Sequence, residues 1–165
     1  MNITYKFNRK EYVKATRKHM IVSGLISKTS LVLIPLMWVA SILMYLEDGD
    51  ALSVVALSVS TLAIFVGIVL YFYVPNRNFK LVTKNSEEYH LTFLKDKVLF
   101  KTKTINSELD MSIFEEIWRS RDFYYLIQNK MAYSVIPRRV FKENNLSEAE
   151  FESVMAERFD EVREI

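Results

Sequence analysis

Arg138, Arg139 and Lys142 are the polar residues of this 165-residue chain whose types and spacing suit them best to chemistry. Adjacent guanidinium groups present planar forks of N–H donors, and Lys142, or Lys101 from elsewhere in the chain, would add a mobile point charge. Such a set can grip a phosphate or an acidic headgroup through charge-assisted hydrogen bonds, with plain surface solvation as the alternative. Other chemistry is thinly provided. His19 sits in a basic run and His90 follows Glu87 and Glu88, whereas a metal site needs three or four converging groups, so no metal is expected. Cysteine is absent, which removes thiol nucleophiles, disulfides and Cys-ligated metal. The chain has no nucleophile elbow, phosphate-binding glycine loop or paired-histidine motif. A non-catalytic protein without a cofactor is the expectation.

The element that must position these residues is a pair of apolar segments. Ala51 to Val74 carries no charge, and at about 1.5 Å per residue it is long enough to cross a hydrocarbon core of roughly 30 Å. Met20 to Leu46 is the first spanning segment, strongest from Thr29 to Leu46, with Lys28 at its inner boundary, where its stem can snorkel. Pro35 is expected to bend it. Glu47, Asp48, Gly49 and Asp50 join the two, with Gly49 the candidate for a positive φ, so the spans must form an antiparallel hairpin.

Charge orients that hairpin. Met1 to Lys28 holds seven Lys/Arg residues against one acid, Arg77, Lys80 and Lys84 follow the second span, and the connecting turn is acidic. The positive-inside rule then places both termini in the cytoplasm and the turn outside, in a multi-pass protein of the cell membrane. Apolar sequence begins too late for a cleaved signal peptide, and the N-terminus is expected to be retained. Within the second span Ser53, Ala56, Ser60, Ala63 and Gly67 recur at spacings of three and four, a stripe of small side chains that lets two helices approach closely. Its bland partner is the first span; the sharper one is a second copy, giving a homo-oligomer, or another membrane protein. Tyr71, Phe72 and Tyr73 fit an aromatic belt before Pro75.

The flanks read as soluble structure. Ile3, Tyr5 and Phe7 alternate as in a half-buried strand, and Asn8 with Glu11 opens a basic helix over Arg9 to His19, either interfacial on anionic lipid or solvated. After Asn76 the composition turns β-rich. Strands are predicted at Tyr89–Phe93 and Val98–Phe100 about a turn at Asp96 and Lys97, and at Leu109–Ile113. Another hairpin joins Phe123–Ile127 to Met131–Ile136 about Asn129 and Lys130. No glycine follows Gly67, so Asn85, Asn106 and Asn129 are expected to serve the tight turns. Ser147 and Glu150 make a capping box for a terminal helix whose Phe151, Val154, Met155, Phe159 and Val162 face the sheet and whose acids, Glu148, Glu150 and Glu152 among them, face solvent. With an acidic helix and no basic one in this module, nucleic acid is not an expected partner.

Phe123, Tyr124, Tyr125 and Leu126, then Tyr133 with Ile136, Pro137, Arg138, Arg139, Val140 and Phe141, form a pattern that resembles the YcxB-like membrane proteins of bacteria. The motif covers residues 107 to 141, and the similarity of layout covers most of the chain. Met111 and Ser112 depart from the more aromatic approach expected there. The resemblance implies an α+β membrane protein with a two-helix transmembrane hairpin, then a small cytoplasmic domain like the pleckstrin-homology folds, with a curved sheet and a capping C-terminal helix. It implies no catalytic residues. The corresponding division is 1–28 for the N-terminal strand and basic helix, 29–75 for the hairpin and 76–165 for the YcxB-like domain, with Ile3 to Phe7 able to add a strand to the cytoplasmic sheet. Function then reduces to an interaction or regulatory module at the inner membrane face, engaging a protein partner or anionic lipid; the alternative is an immunity protein that blocks a membrane-directed toxin.

Overall fold

The computed structural model describes residues 1–81, 87–159 and 162–165, so Lys84 and Asn85 lie outside the described residues. Two compact units result: Met1–Ala15 with Phe79–Ile165, and Thr16–Asn78.

The first unit is α+β. Strands β1 (Asn2–Lys6), β2 (Glu88–Phe93), β3 (Lys97–Lys101) and β4 (Asn106–Asp110) make one antiparallel sheet in that order. The first strand does join the later ones, with Ile3 opposite Leu91 and Tyr5 opposite Tyr89. A second sheet has the order β7 (Tyr133–Pro137), β6 (Phe123–Ile127), β5 (Glu116–Arg119), β8 (Val162–Glu164), of which β8 runs parallel to β5. The expected strand through Ile113 stops at Asp110, because the Asp110 carboxylate accepts the Ser112 N–H at 2.8 Å and turns the chain into a short 3₁₀ segment, Met111–Ile113. Asn129 shapes the β6–β7 turn by accepting the N–H groups of Met131 and Ala132 at 2.8 and 2.9 Å. Asn106 instead opens β4, and the left-handed asparagine among the described residues is Asn145, at φ 54°.

Helix α1 (Arg9–Val22) begins where expected, the Asn8 side chain accepting the Glu11 N–H at 2.9 Å. Its Val13 and Ala15 are buried, and the Tyr125 hydroxyl donates to the Ala15 carbonyl at 3.1 Å. That contact explains why β6 is apolar at every position: Tyr124 and Leu126 enter the core, while Tyr125 points the other way, toward α1. Helix α5 (Arg139–Glu143) and helix α6 (Glu148–Ala156) complete the unit. Phe151 of α6 is fully buried with its ring 5.5 Å from Phe93, 5.1 Å from Tyr124 and 5.1 Å from Phe141, so it joins both sheets and α5. The terminal helix is shorter than its apolar stripe suggests: it ends at Ala156, Phe159 is still buried, and Val162 belongs to β8.

The second unit is helical. Helix α2 (Lys28–Glu47) runs on through Pro35, and helix α3 (Ala51–Ile68) returns after a turn in which Gly49 has φ +60° and Asp50 caps the new helix, accepting the Ser53 N–H at 2.8 Å. The return helix does not stop before Pro75. It passes through a π-turn, Val69–Tyr73, and continues as α4 (Val74–Leu81). Proline explains the turn and its partner. Pro75 has no N–H to give the carbonyl four residues earlier, which is that of Tyr71, and Arg17 Nε donates to this oxygen at 3.0 Å. The same guanidinium lies 4.9 Å from the ring centres of both Tyr71 and Phe72.

Arg17 and Pro75 should therefore be energetically coupled. Arg17→Gln should lower the unfolding free energy in mild detergent by about 1.5–3 kcal/mol, because it strands a carbonyl that proline cannot satisfy. In a Pro75→Ala background, where residue 75 regains its N–H, most of that loss should vanish.

Candidate functional site

Arg138 occupies the N-cap position of α5 immediately after Pro137, without a capping side-chain hydrogen bond, and its side chain is turned inward. Its Nε and Nη2 donate to Glu148 Oε2 at 2.9 and 2.5 Å, its Nη1 donates to the Ser120 carbonyl at 3.3 Å, and its guanidinium lies 5.6 Å from the Tyr124 ring centre. The contacts continue across the sheet. The Tyr124 hydroxyl reaches Glu148 at 3.2 Å and also donates to Glu152, which accepts from Arg119 Nη1 at 2.9 Å, and Arg119 in turn holds Glu164 of β8. One network therefore ties β5, β6, α6 and β8 to the start of α5. Burial works against ionisation of Glu152, but the Tyr124 hydroxyl and the Arg119 guanidinium outweigh it and leave the carboxyl below its ordinary range. Burial first, then the hydrogen bond to Glu152, pushes the Tyr124 phenol well above its ordinary value.

Arg139 serves the other flank. Its Nε and Nη2 donate to the Glu11 carboxylate of α1 at 2.7 and 3.0 Å, Nη2 also reaches the Lys6 carbonyl at 2.8 Å, and Nη1 pairs with Glu143 at 2.5 Å. Beside it, Asn144 donates to the Thr4 carbonyl at 3.0 Å and lies 3.4 Å from the Thr4 nitrogen, covering the outer edge of β1. Lys142 is exposed, and Lys101 lies in β3 of the other sheet. The two arginines thus diverge, one to the terminal helix and one to the N-terminal segment, and their donors are taken up inside the unit.

The acids of α6 account for the difference from the sequence reading. Glu148 and Glu152 stand three residues before Phe151 and Met155 respectively, so they share the buried stripe and not the opposite face. That spacing was visible, but charge alone placed them in solvent.

The small-residue stripe of α3 has Ser53 and Ser60 buried, Ala56 and Ala63 half-buried and Gly67 exposed. Ser53 and Ser60 donate to carbonyls of their own helix, those of Asp50 and Leu57 at 2.8 and 3.1 Å, which satisfies the hydroxyls without a second helix. Trp38 Nε1 donates to Thr61 Oγ1 at 3.0 Å between α2 and α3. A methyl group at Gly67 would meet nothing within 4 Å.

Burial lowers His19 to about 4, so it adds no charge to α1 at neutral pH. Among the described residues no group of three His, Cys, Asp or Glu side chains converges on a metal position. A cleft of about 620 Å³ lies beside the 3₁₀ segment and β8, but its arginines are engaged: Arg158 with Asp96 and the Lys95 carbonyl, Arg163 with Glu116 at 3.6 Å and over the Trp118 ring. A second cleft, of about 490 Å³, opens at one end of the first sheet and contains Lys6, Lys101 and Lys103. The nearness of Lys6 to Lys101 and Lys103 depends on the pairing of β1 with β2 and of β2 with β3, which no local sequence pattern shows.

With their side chains less than a third exposed, at 32% and 28%, Arg138 and Glu148 should be coupled by about 1–2 kcal/mol in a double-mutant unfolding cycle with Arg138→Gln and Glu148→Gln. A coupling near zero would mean that the pair is a solvated surface contact.

No curated protein and no solved structure matches the chain. The family model described as YcxB-like protein matches residues 93–154, which span β3 to α6 and include both arginines, and so this segment bears out the resemblance to the YcxB-like family.

Proposed function

We propose that this is an integral membrane protein that presents a non-catalytic interaction domain, like the pleckstrin-homology folds, at the cytoplasmic face. The observation that carries this reading is the exposure of the helical unit. The most apolar 18-residue windows of Lys28–Glu47 and Ala51–Leu81 have mean hydropathies of 2.0 and 2.5, yet only 6% and 11% of those windows are buried. Leu33, Leu36, Met37, Val55, Leu62 and Phe65 are among the large side chains left at least half exposed. An apolar surface of this extent is stable in lipid and not in water.

Three features support the remaining parts of the proposal. Cations flank the helices at Lys28, Arg77 and Lys80, while the intervening turn carries Glu47, Asp48 and Asp50, the asymmetry of a hairpin with its turn outside. Both chain ends belong to the β-unit, consistent with their lying on one side. Two antiparallel-rich sheets with a terminal helix packed by Phe151 and Met155 supply the layout of a small binding module. The reading as a binding protein takes a protein partner or anionic lipid as the ligand class.

The chain lacks cysteine, which permits a clean test of orientation. Gly49→Cys should react with a membrane-impermeant thiol reagent in intact cells, whereas Lys142→Cys should react only after lysis. The reverse pattern, or equal labelling, would overturn the proposed topology.

A further inference from the structure

We propose that the cleft formed by Lys6, Lys101 and Lys103 binds the phosphate-bearing headgroup of an anionic membrane lipid. The inference rests on the reading of α2 to α4 as membrane spans and adds to it the site, which is not at the two arginines of the family motif. Lys6 closes β1 and stands opposite Glu88, the first residue of β2. His90 stands opposite Lys101, the last residue of β3. The turn that follows, 102–105, therefore lies at the same end of the sheet as Lys6.

The cleft is built and not merely basic. Thr102 is buried, its N–H donates to the Ile105 carbonyl at 2.7 Å, and its hydroxyl accepts the N–H groups of Thr104 and Ile105 at 3.3 and 3.1 Å. Glu87 fixes the turn from outside, accepting the Thr104 N–H at 3.1 Å and the Thr104 hydroxyl at 2.9 Å. Glu88 lies 3.7 Å from His90 Nε2, and His90 Nδ1 is 3.1 Å from Thr4 Oγ1. Glu87 is thereby directed to the turn, and Glu88 is an exposed carboxylate 3.7 Å from His90 Nε2. Lys6, Lys101 and Lys103 are exposed, and none of them has an ion pair among the described residues. Arg119, Arg138, Arg139 and Arg158, by contrast, are held by acids. Lysines on flexible stems suit a mobile headgroup at a bilayer surface, where guanidinium forks already locked in ion pairs cannot serve.

The test uses the full chain in mixed micelles with equal amounts of phosphatidylglycerol and phosphatidylcholine, and reads the lipid retained after gel filtration. The unaltered protein should enrich phosphatidylglycerol. The variant Lys6→Gln/Lys101→Gln/Lys103→Gln should retain it at least about tenfold less well, whereas a variant with the same charge loss at other exposed positions, Lys95→Gln and Lys130→Gln in turns and Lys142→Gln on α5, should behave as the parent. Equal loss in both variants, or loss in neither, overturns the proposal. Displacement of the lipid by millimolar inorganic phosphate would assign the cleft to a free phosphate and overturn the lipid assignment. Outward labelling of Gly49→Cys in the same triple variant shows separately whether the membrane reading holds, so the two can fail independently.

Discussion

The antiparallel pairing of β1 with β2 is the interaction on which the rest of the structure depends. It joins residues 2–6 to residues 88–92 across the whole helical unit, so the β-domain is discontinuous in sequence. A five-residue strand has no stability of its own, and its fixings are correspondingly dense. Tyr5 stacks on Tyr89 at 5.2 Å and donates its hydroxyl to the Val135 carbonyl of the other sheet at 2.6 Å. Asn144 covers its free edge at Thr4, and Arg139 holds the Lys6 carbonyl at its end. The helical hairpin is thus inserted in sequence between two paired strands of one sheet.

That arrangement gives the charged residues of the segment matched by the family a structural task. Arg138 fastens α6 to the second sheet through Glu148, and Arg139 fastens α1 and β1 through Glu11 and Lys6. Adjacent in sequence, they act in opposite directions because one caps α5 and the next is its first residue. Partly buried pairs of this kind fix the geometry between elements more than they add raw stability. The lysines at the end of the first sheet have no such task, and electrostatic attraction to an external anion is open to them.

Much of the architecture was legible in local pattern. The alternation of Tyr89, Leu91 and Phe93, the Asn8 and Ser147 caps, the positive φ at Gly49 and the two uncharged segments each follow from residue type and spacing alone. What escaped was non-local. The strand at Val162 is only three residues long and exists through its parallel pairing with β5, and the continuation of helix past Pro75 relies on Arg17, 54 residues away, to satisfy the Tyr71 carbonyl. The inward turn of Glu148 and Glu152 was readable from spacing, but only the presence of Arg138, Arg119 and Tyr124 beneath them makes it favourable. Site residues read from charge density alone, such as the arginine pair, are the ones most easily reassigned when intramolecular partners are found.

One β-domain closes across the helical hairpin, which we propose crosses a membrane. This closure is tested most directly in intact cells with Thr4→Cys and His90→Cys, a pair directly opposite in the β1–β2 register, together with a protease site inserted at Gly49. After mild oxidation, protease added outside should cut the chain, and the two fragments should run together until reduced. An uncut chain would contradict the exposed turn, and fragments that separate without reduction would contradict the closure of β1 onto β2.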